Sequence, residues 1–186
     1  MSSSAFPESI EQIHELNRLF LRSLQGRDVA DLRGCGFPGA AVASLRAAPP
    51  GMLDAVAEFP RALFELTLDE SGRDAPQPDM SRQILDLTIV FCAWNMARES
   101  LYHARLLFGL TPQVAHELRT TPLSQLPRLA LTRARISCTF AEVEWLWKEL
   151  LTETRPEARR QLILIALQPP IDAAGVADAA QPKAAG

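Results

Sequence analysis

The feature that most constrains this chain is a recurrence of unlike residues 73 positions apart. Gly36 answers Gly109, Leu45 answers Leu118, Arg46 answers Arg119, Pro49 answers Pro122, Leu53 answers Leu126 and Ala57 answers Ala130. The pattern Leu-Arg-x-x-Pro-x-x-x-Leu-x-x-x-Ala therefore stands in the chain twice. Val56 against Leu129 and Leu63 against Ile136 continue the match in hydrophobic character. Apolar coincidences arise between any two helices, but a shared Leu-Arg and proline within that spacing are not produced by helical periodicity. A duplicated folding unit accounts for them.

Each copy reads as a helix, a glycine-marked break, a short helix, a proline-marked turn, a third helix and an extended segment. Pro7 and Glu8 open a helix in which Ile10, Ile13, Leu16, Leu19, Phe20 and Leu24 form one apolar face, ending near Gly26. In the second copy Ser81 is placed to cap a long helix from Gln83 to Phe108, with Ile84, Leu87, Phe91, Trp94, Ala97 and Leu101 as the expected buried stripe. Thr111-Pro112 restarts a helix in the order preferred at an N-terminus, and Pro122 marks the next turn before Leu123 to Thr132. Gly39 and Pro49-Pro50-Gly51 play the same parts in copy one. Arg135 to Phe140 alternates, with Ile136, Cys138 and Phe140 on one face. Its counterpart Leu63 to Leu68 places Phe64, Leu66 and Leu68 likewise, so the two segments are expected to pair within one molecule. Glu142 to Leu151 reads as a helix with Val143, Leu146, Trp147 and Leu150 inward, and Pro156 opens a last helix carrying Leu162, Ile165 and Ala166.

The chain has 186 residues, 47% of them apolar and 22% charged, which suits an ordinary globular fold and argues against a disordered regulator. The longest apolar run, Leu162 to Leu167, is short of the roughly 20 residues a membrane-spanning helix needs. Met1 to Glu8 carries neither a basic start nor an apolar stretch, so a cytoplasmic protein is expected. Nineteen basic against 22 acidic side chains exclude a polycation, and contact with nucleic acid would have to come from a local patch. Arginines collect twice, as Arg128, Arg133 and Arg135 and as Arg155, Arg159 and Arg160. Phosphate contact is one reading, and a solvated face balanced by Glu149, Glu153 and Glu157 is the other.

No catalytic constellation emerges, so no enzyme and no cofactor is expected. His14, His103 and His116 lack an HxxxH or HExxH arrangement, and Arg33-Gly34-Cys35-Gly36 lacks the spacing and lysine of a phosphate loop and reads as a flexible break. Cys35, Cys92 and Cys138 are too few and too far apart for a disulfide framework or a zinc site. Cys92 falls in the apolar stripe as a small hydrophobe. Trp145 and Trp147 lie about 200° apart on a helix, so one of them is expected to face solvent or a partner.

From Asp86 to about Gln168 the second copy resembles the flagellar transcriptional activator subunit family FlhD. The regions Asp86-Leu-Thr-Ile-Val-Phe and Leu107-Phe-Gly-Leu are similar to the two ends of the family's first helix. Leu123-Ser-Gln125 and Arg128-Leu-Ala-Leu-Thr132 resemble its next stretch, and Ile136-Ser-Cys-Thr-Phe140 resembles its strand. Copy one is similar through Glu15-Leu-Asn17, Phe20-Leu21 and Gln25, with Glu65 near the family's cysteine position. The resemblance implies an all-α protein of two tandem FlhD-like repeats, each with one short strand, closed into an internal pseudo-dimer as a monomeric chain. Residues 1–70 would form a truncated first repeat, 71–81 a linker, 82–168 the second repeat and 169–186 a disordered tail. Phe64, Leu66, Ile136, Cys138 and Phe140 would form the dimer-like interface. The resemblance also implies a transcriptional regulator or co-regulator that assembles with a zinc-containing FlhC-like subunit. In the family the C-terminal helical segment is associated with promoter DNA, and Glu153-Thr-Arg155 resembles its Asp-Ser-Arg, which makes Arg155 the DNA-contact candidate. Arg159 and Arg160 extend that candidate patch for DNA or a partner. The alternative is a helical adaptor or anti-activator that binds no DNA. With only Glu65 opposite Cys138, a disulfide is expected only between separate chains.

Overall fold

The computed structural model describes residues 5–69 and 80–168. It is mostly helical. The first part runs α1 (Ala5–Gln25), α2 (Val29–Gly34), a 3-10 turn at Gly39–Ala41 leading into α3 (Val42–Ala47), α4 (Pro50–Ala57) and β1 (Phe64–Leu68). The second runs α5 (Met80–Glu99), α6 (Leu101–Phe108), α7 (Pro112–Thr120), a 3-10 turn at Leu123–Gln125 leading into α8 (Leu126–Thr132) and β2 (Ala134–Cys138). Two helices follow, α9 (Glu144–Thr152) and α10 (Pro156–Leu167).

Local chemistry explains the boundaries. The Asp28 carboxylate accepts from the Asp31 N–H and starts α2. At its end Gly36 adopts φ +77°, which lets the Gly36 N–H reach Arg33 O at 2.9 Å and the Phe37 N–H reach Leu32 O at 2.8 Å. That pair of bonds is a Schellman closure, and the left-handed residue it needs is a glycine. Gly109 ends α6 at φ +67°. Pro49 and Pro122, both extended, stand at the N-caps of α4 and of the turn leading into α8. The segments Gly39–Ala47 and Pro112–Thr120 begin and end 73 residues apart.

β1 and β2 pair antiparallel, Phe64 with Cys138, Glu65 with Ser137, Leu66 with Ile136, Thr67 with Arg135 and Leu68 with Ala134. Backbone bonds from Asp69 N to Arg133 O (2.9 Å) and from Thr139 N to Leu63 O (3.0 Å) extend the pairing at both ends. Beneath it one continuous core joins both parts of the chain, with Trp147, Phe20, Phe59, Phe64 and Phe108 among its fully buried side chains. Among the described residues there is one core and not two separate bundles. α9 crosses over to pack on Gly39–Ala41, α3 and α4.

Several expectations are corrected. The helix from Gln83 to Phe108 is broken at Ser100, which turns extended and whose hydroxyl accepts from the His103 N–H, capping α6. Ser81 does not cap α5, because helix already begins at Met80, inside the expected linker. Of the stripe expected along α5, Trp94 and Ala97 are buried but Ile84 and Phe91 are exposed. The buried positions include Leu85, Asp86, Ile89, Val90, Ala93 and Met96, because α5 touches α1, α6, α7, α8 and β2 at once. A helix enclosed on several sides has no single apolar stripe. Phe140 lies beyond the ladder at φ +59°, and Ile165 on α10 is exposed. The rest of the expected linker, Ser71 to Asp79, and the tail beyond Gln168 lie outside the described residues.

Candidate functional site

In the expected C-terminal arginine patch Arg155 and Arg159 each have partners within the protein, although the Arg155 side chain stays 76% exposed. Arg155, the N-cap of α10, doubles back on Glu153: its backbone N–H donates to Oε1 at 2.8 Å, Nε to Oε1 at 3.1 Å and Nη2 to Oε2 at 2.9 Å. Hydrogen bonding to the Arg155 side chain, helped by its backbone N–H, holds the Glu153 carboxyl down to about 2. Arg159 turns inward, donating from Nη2 to Glu153 O and approaching Met52 Sδ of α4 at 3.2 Å, so it fastens α10 to the body of the fold. Arg160 is exposed. The other cluster is also compensated: Arg133 donates to Asp69 O at 2.9 Å and pairs with Glu117, and Arg135 pairs with Asp69 at 3.1 Å. Arg128 stays exposed.

The interface residues converge better. Phe64 and Leu66 on β1 face Cys138 and Ile136 on β2, and all four are buried. Phe64 joins the two parts of the chain, with Phe20 of α1 at 5.3 Å and Phe108 of α6 at 6.1 Å between ring centres. Phe140 sits apart from the ladder and meets Phe59 edge-on at 5.7 Å. Trp147 is fully buried, packs tilted at 59° against Phe37 with ring centres 5.1 Å apart and donates its indole N–H to Thr139 O at 2.9 Å. Trp145 is half-exposed, as the helical spacing of the two indoles requires. On α10 no side chain is fully buried, and Leu164 and Ile165 are 63% and 50% exposed.

The groove between α3, α4 and the end of α9, about 470 Å³, is lined by small and apolar groups such as Ala43, Ala47, Met52, Leu151 and Thr154. Among the described residues no three His, Cys, Asp or Glu side chains gather as a metal site would require. No described helix is long and apolar enough to cross a membrane.

No family model, curated protein or solved structure matches this chain. The site must therefore be read from its own residues.

Sequence reasoning missed Cys35. Its Sγ lies 4.0 Å from Cys138 Sγ, both side chains buried, so the expectation that Cys138 has no partner within the chain is overturned. The 73-residue spacing carried a partial signal. Cys35 stands 73 residues before Phe108, each directly precedes its left-handed glycine, and Phe108 packs on Phe64, the ladder partner of Cys138. By that spacing Cys35 corresponds to Phe108 while Phe64 corresponds to Ser137, so Cys138 lies one residue beyond the counterpart of Phe64. Asn17, also buried, was read only as part of the family match.

Proposed function

We propose that this chain is a transcriptional regulator or co-regulator of the FlhD kind, a pseudo-dimer made from two tandem repeats, and that it acts in the cytoplasm by assembling with a FlhC-like protein subunit. The observation that carries this reading is the β1–β2 ladder: the two corresponding segments of a duplicated sequence pair with each other inside one chain. The left-handed glycines and the proline caps at the same 73-residue spacing support it. Protein assembly is favoured over direct promoter contact because Arg155 and Arg159 already satisfy Glu153 and its backbone, whereas Trp145, Leu164 and Ile165 present apolar surface to solvent. The last helix gives the FlhC-like subunit an apolar surface to bind.

Mixing the full chain with a purified FlhC-like subunit and measuring the mass of the product by sedimentation tests the reading. A defined heteromeric complex that Ile165→Glu weakens at least tenfold is expected. Repeating the titration with promoter DNA at several salt concentrations separates the two modes. A supershift with no added salt slope means a co-regulator held by the subunit, and loss of the subunit from DNA means an anti-activator. Absence of any complex, with the chain folded, overturns the assembly reading.

A further inference from the structure

Two buried thiols this close, on segments more than a hundred residues apart, are an unused chemical resource. Cys35 is the C-cap of α2 and Cys138 the last residue of β2. The Cys138 N–H donates to Cys35 O at 2.7 Å, which by standard backbone dimensions keeps the two Cα atoms within about 6.6 Å. Disulfides span Cα separations of roughly 4.4–6.8 Å, so closing the sulfurs from 4.0 Å to bonding distance asks for side-chain rotation and no rearrangement of the backbone.

We propose that Cys35 and Cys138 form a reversible intramolecular disulfide when the protein meets a peroxide, locking the first part of the chain to the second. Cys35 meets the oxidant first. Contact with Cys138 lowers the Cys35 thiol pKa against the opposing effect of burial and of its own bond to Leu32 O at 3.1 Å, while contact with Cys35 and burial push Cys138 up. The Cys35 thiolate attacks a peroxide oxygen, the O–O bond breaks, and a sulfenic acid and hydroxide result. Cys138 sulfur then displaces the hydroxyl from Cys35 Sγ. The two thiols lose two electrons and two protons, and hydrogen peroxide becomes two waters.

Access has a structural route. α2 is six residues long and buries one side chain, Leu32, while Arg33 and Gly34 beside Cys35 are exposed. A helix held by so little apolar contact opens locally far more often than the core unfolds. Cys92, half-buried on α5 with its thiol pKa raised by burial, is an internal control in the same chain.

The test treats the native full-length protein with hydrogen peroxide, alkylates the remaining thiols and maps the tryptic peptides without reduction. The expected product joins Gly34–Arg46 to Ile136–Lys148, with Cys92 alkylated and the chain still monomeric. The oxidised protein should melt about 10 °C higher, because the bond closes a loop of more than a hundred residues, and dithiothreitol should reverse the shift. Cys138→Ser should abolish the linked peptide and leave Cys35 open to sulfenic-acid trapping. The proposal fails if the link forms only in denaturant, if chains cross-link to one another instead, or if Cys92 is consumed first.

Discussion

A buried amide is costly unless its hydrogen-bonding capacity is used, and Asn17 uses its own to close the connector between α4 and β1. Its Nδ2 donates towards Ala57 O, Phe59 O and Arg61 O at 3.0–3.3 Å, and its Oδ1 accepts from the Leu63 N–H at 2.8 Å. One side chain on α1 thereby fixes where β1 enters the ladder. Asn17→Ala leaves the Leu63 N–H and several carbonyls without partners in the interior, at about 1–3 kcal/mol for each group that water cannot reach. We expect a loss of about 3 kcal/mol in urea unfolding. Asn17→Leu should be no better, because the orphaned groups belong to the backbone. A cost under about 1 kcal/mol would mean that solvent reaches the connector. Nothing in the sequence marks this residue, since its partners lie 40 to 46 positions away. The same distance problem hid Cys35, which sits 103 positions from Cys138.

Breaks, rather than helices, carry the recognisable pattern at the scale of elements. Gly36 and Gly109 both take left-handed backbone, a conformation that costs a residue with a Cβ about 1–2 kcal/mol. A Cβ on Gly36 would find ordinary contact with Ala141 at 3.6 Å, and one on Gly109 would meet only the end of the flexible Arg61 side chain at 2.8 Å. Backbone strain therefore dominates at both positions. Gly36→Ala and Gly109→Ala should each destabilise by about 1 kcal/mol, measured by denaturant midpoint at constant slope. A loss several times larger at one of them would show that packing decides there. These turns were legible because glycine and proline act through their own backbones. The long helices were less so. α1 shows most of its buried face, with Ile13, Leu16, Phe20 and Leu24 inside, but Leu19 of the expected face is exposed. α5 does not, because neighbours surround it, and Ser100 interrupts an apolar pattern that continues across the break. The coverage by α9 also leaves a mark in the sequence: Pro38 and Ala41, in the segment beneath it, are buried, whereas Thr111 and Val114 at the same spacing are exposed and half-exposed.

For the whole molecule the decisive fact is that the core is shared. Phe64 lies between Phe20 and Phe108, β1 has no strand partner except β2 among the described residues, and α9 covers Gly39–Ala41, α3 and α4 from the far end of the chain. A fragment of residues 1–69 would expose Phe37, Phe64 and Ala41 to water, and at that length little apolar surface remains to offset the cost of ordering the chain. A fragment of residues 80–168 would keep Trp147 but lose Phe37, against which its indole packs. Neither fragment alone should unfold cooperatively as a monomer. Mixed in equal amounts they should recover the helical circular dichroism of the intact chain and sediment as a one-to-one pair, while the intact 20.5 kDa chain sediments as a monomer. Cooperative unfolding of the first fragment by itself would show that this part of the chain is an autonomous domain, and the ladder would then be a docking contact instead of the seam around which the protein folds.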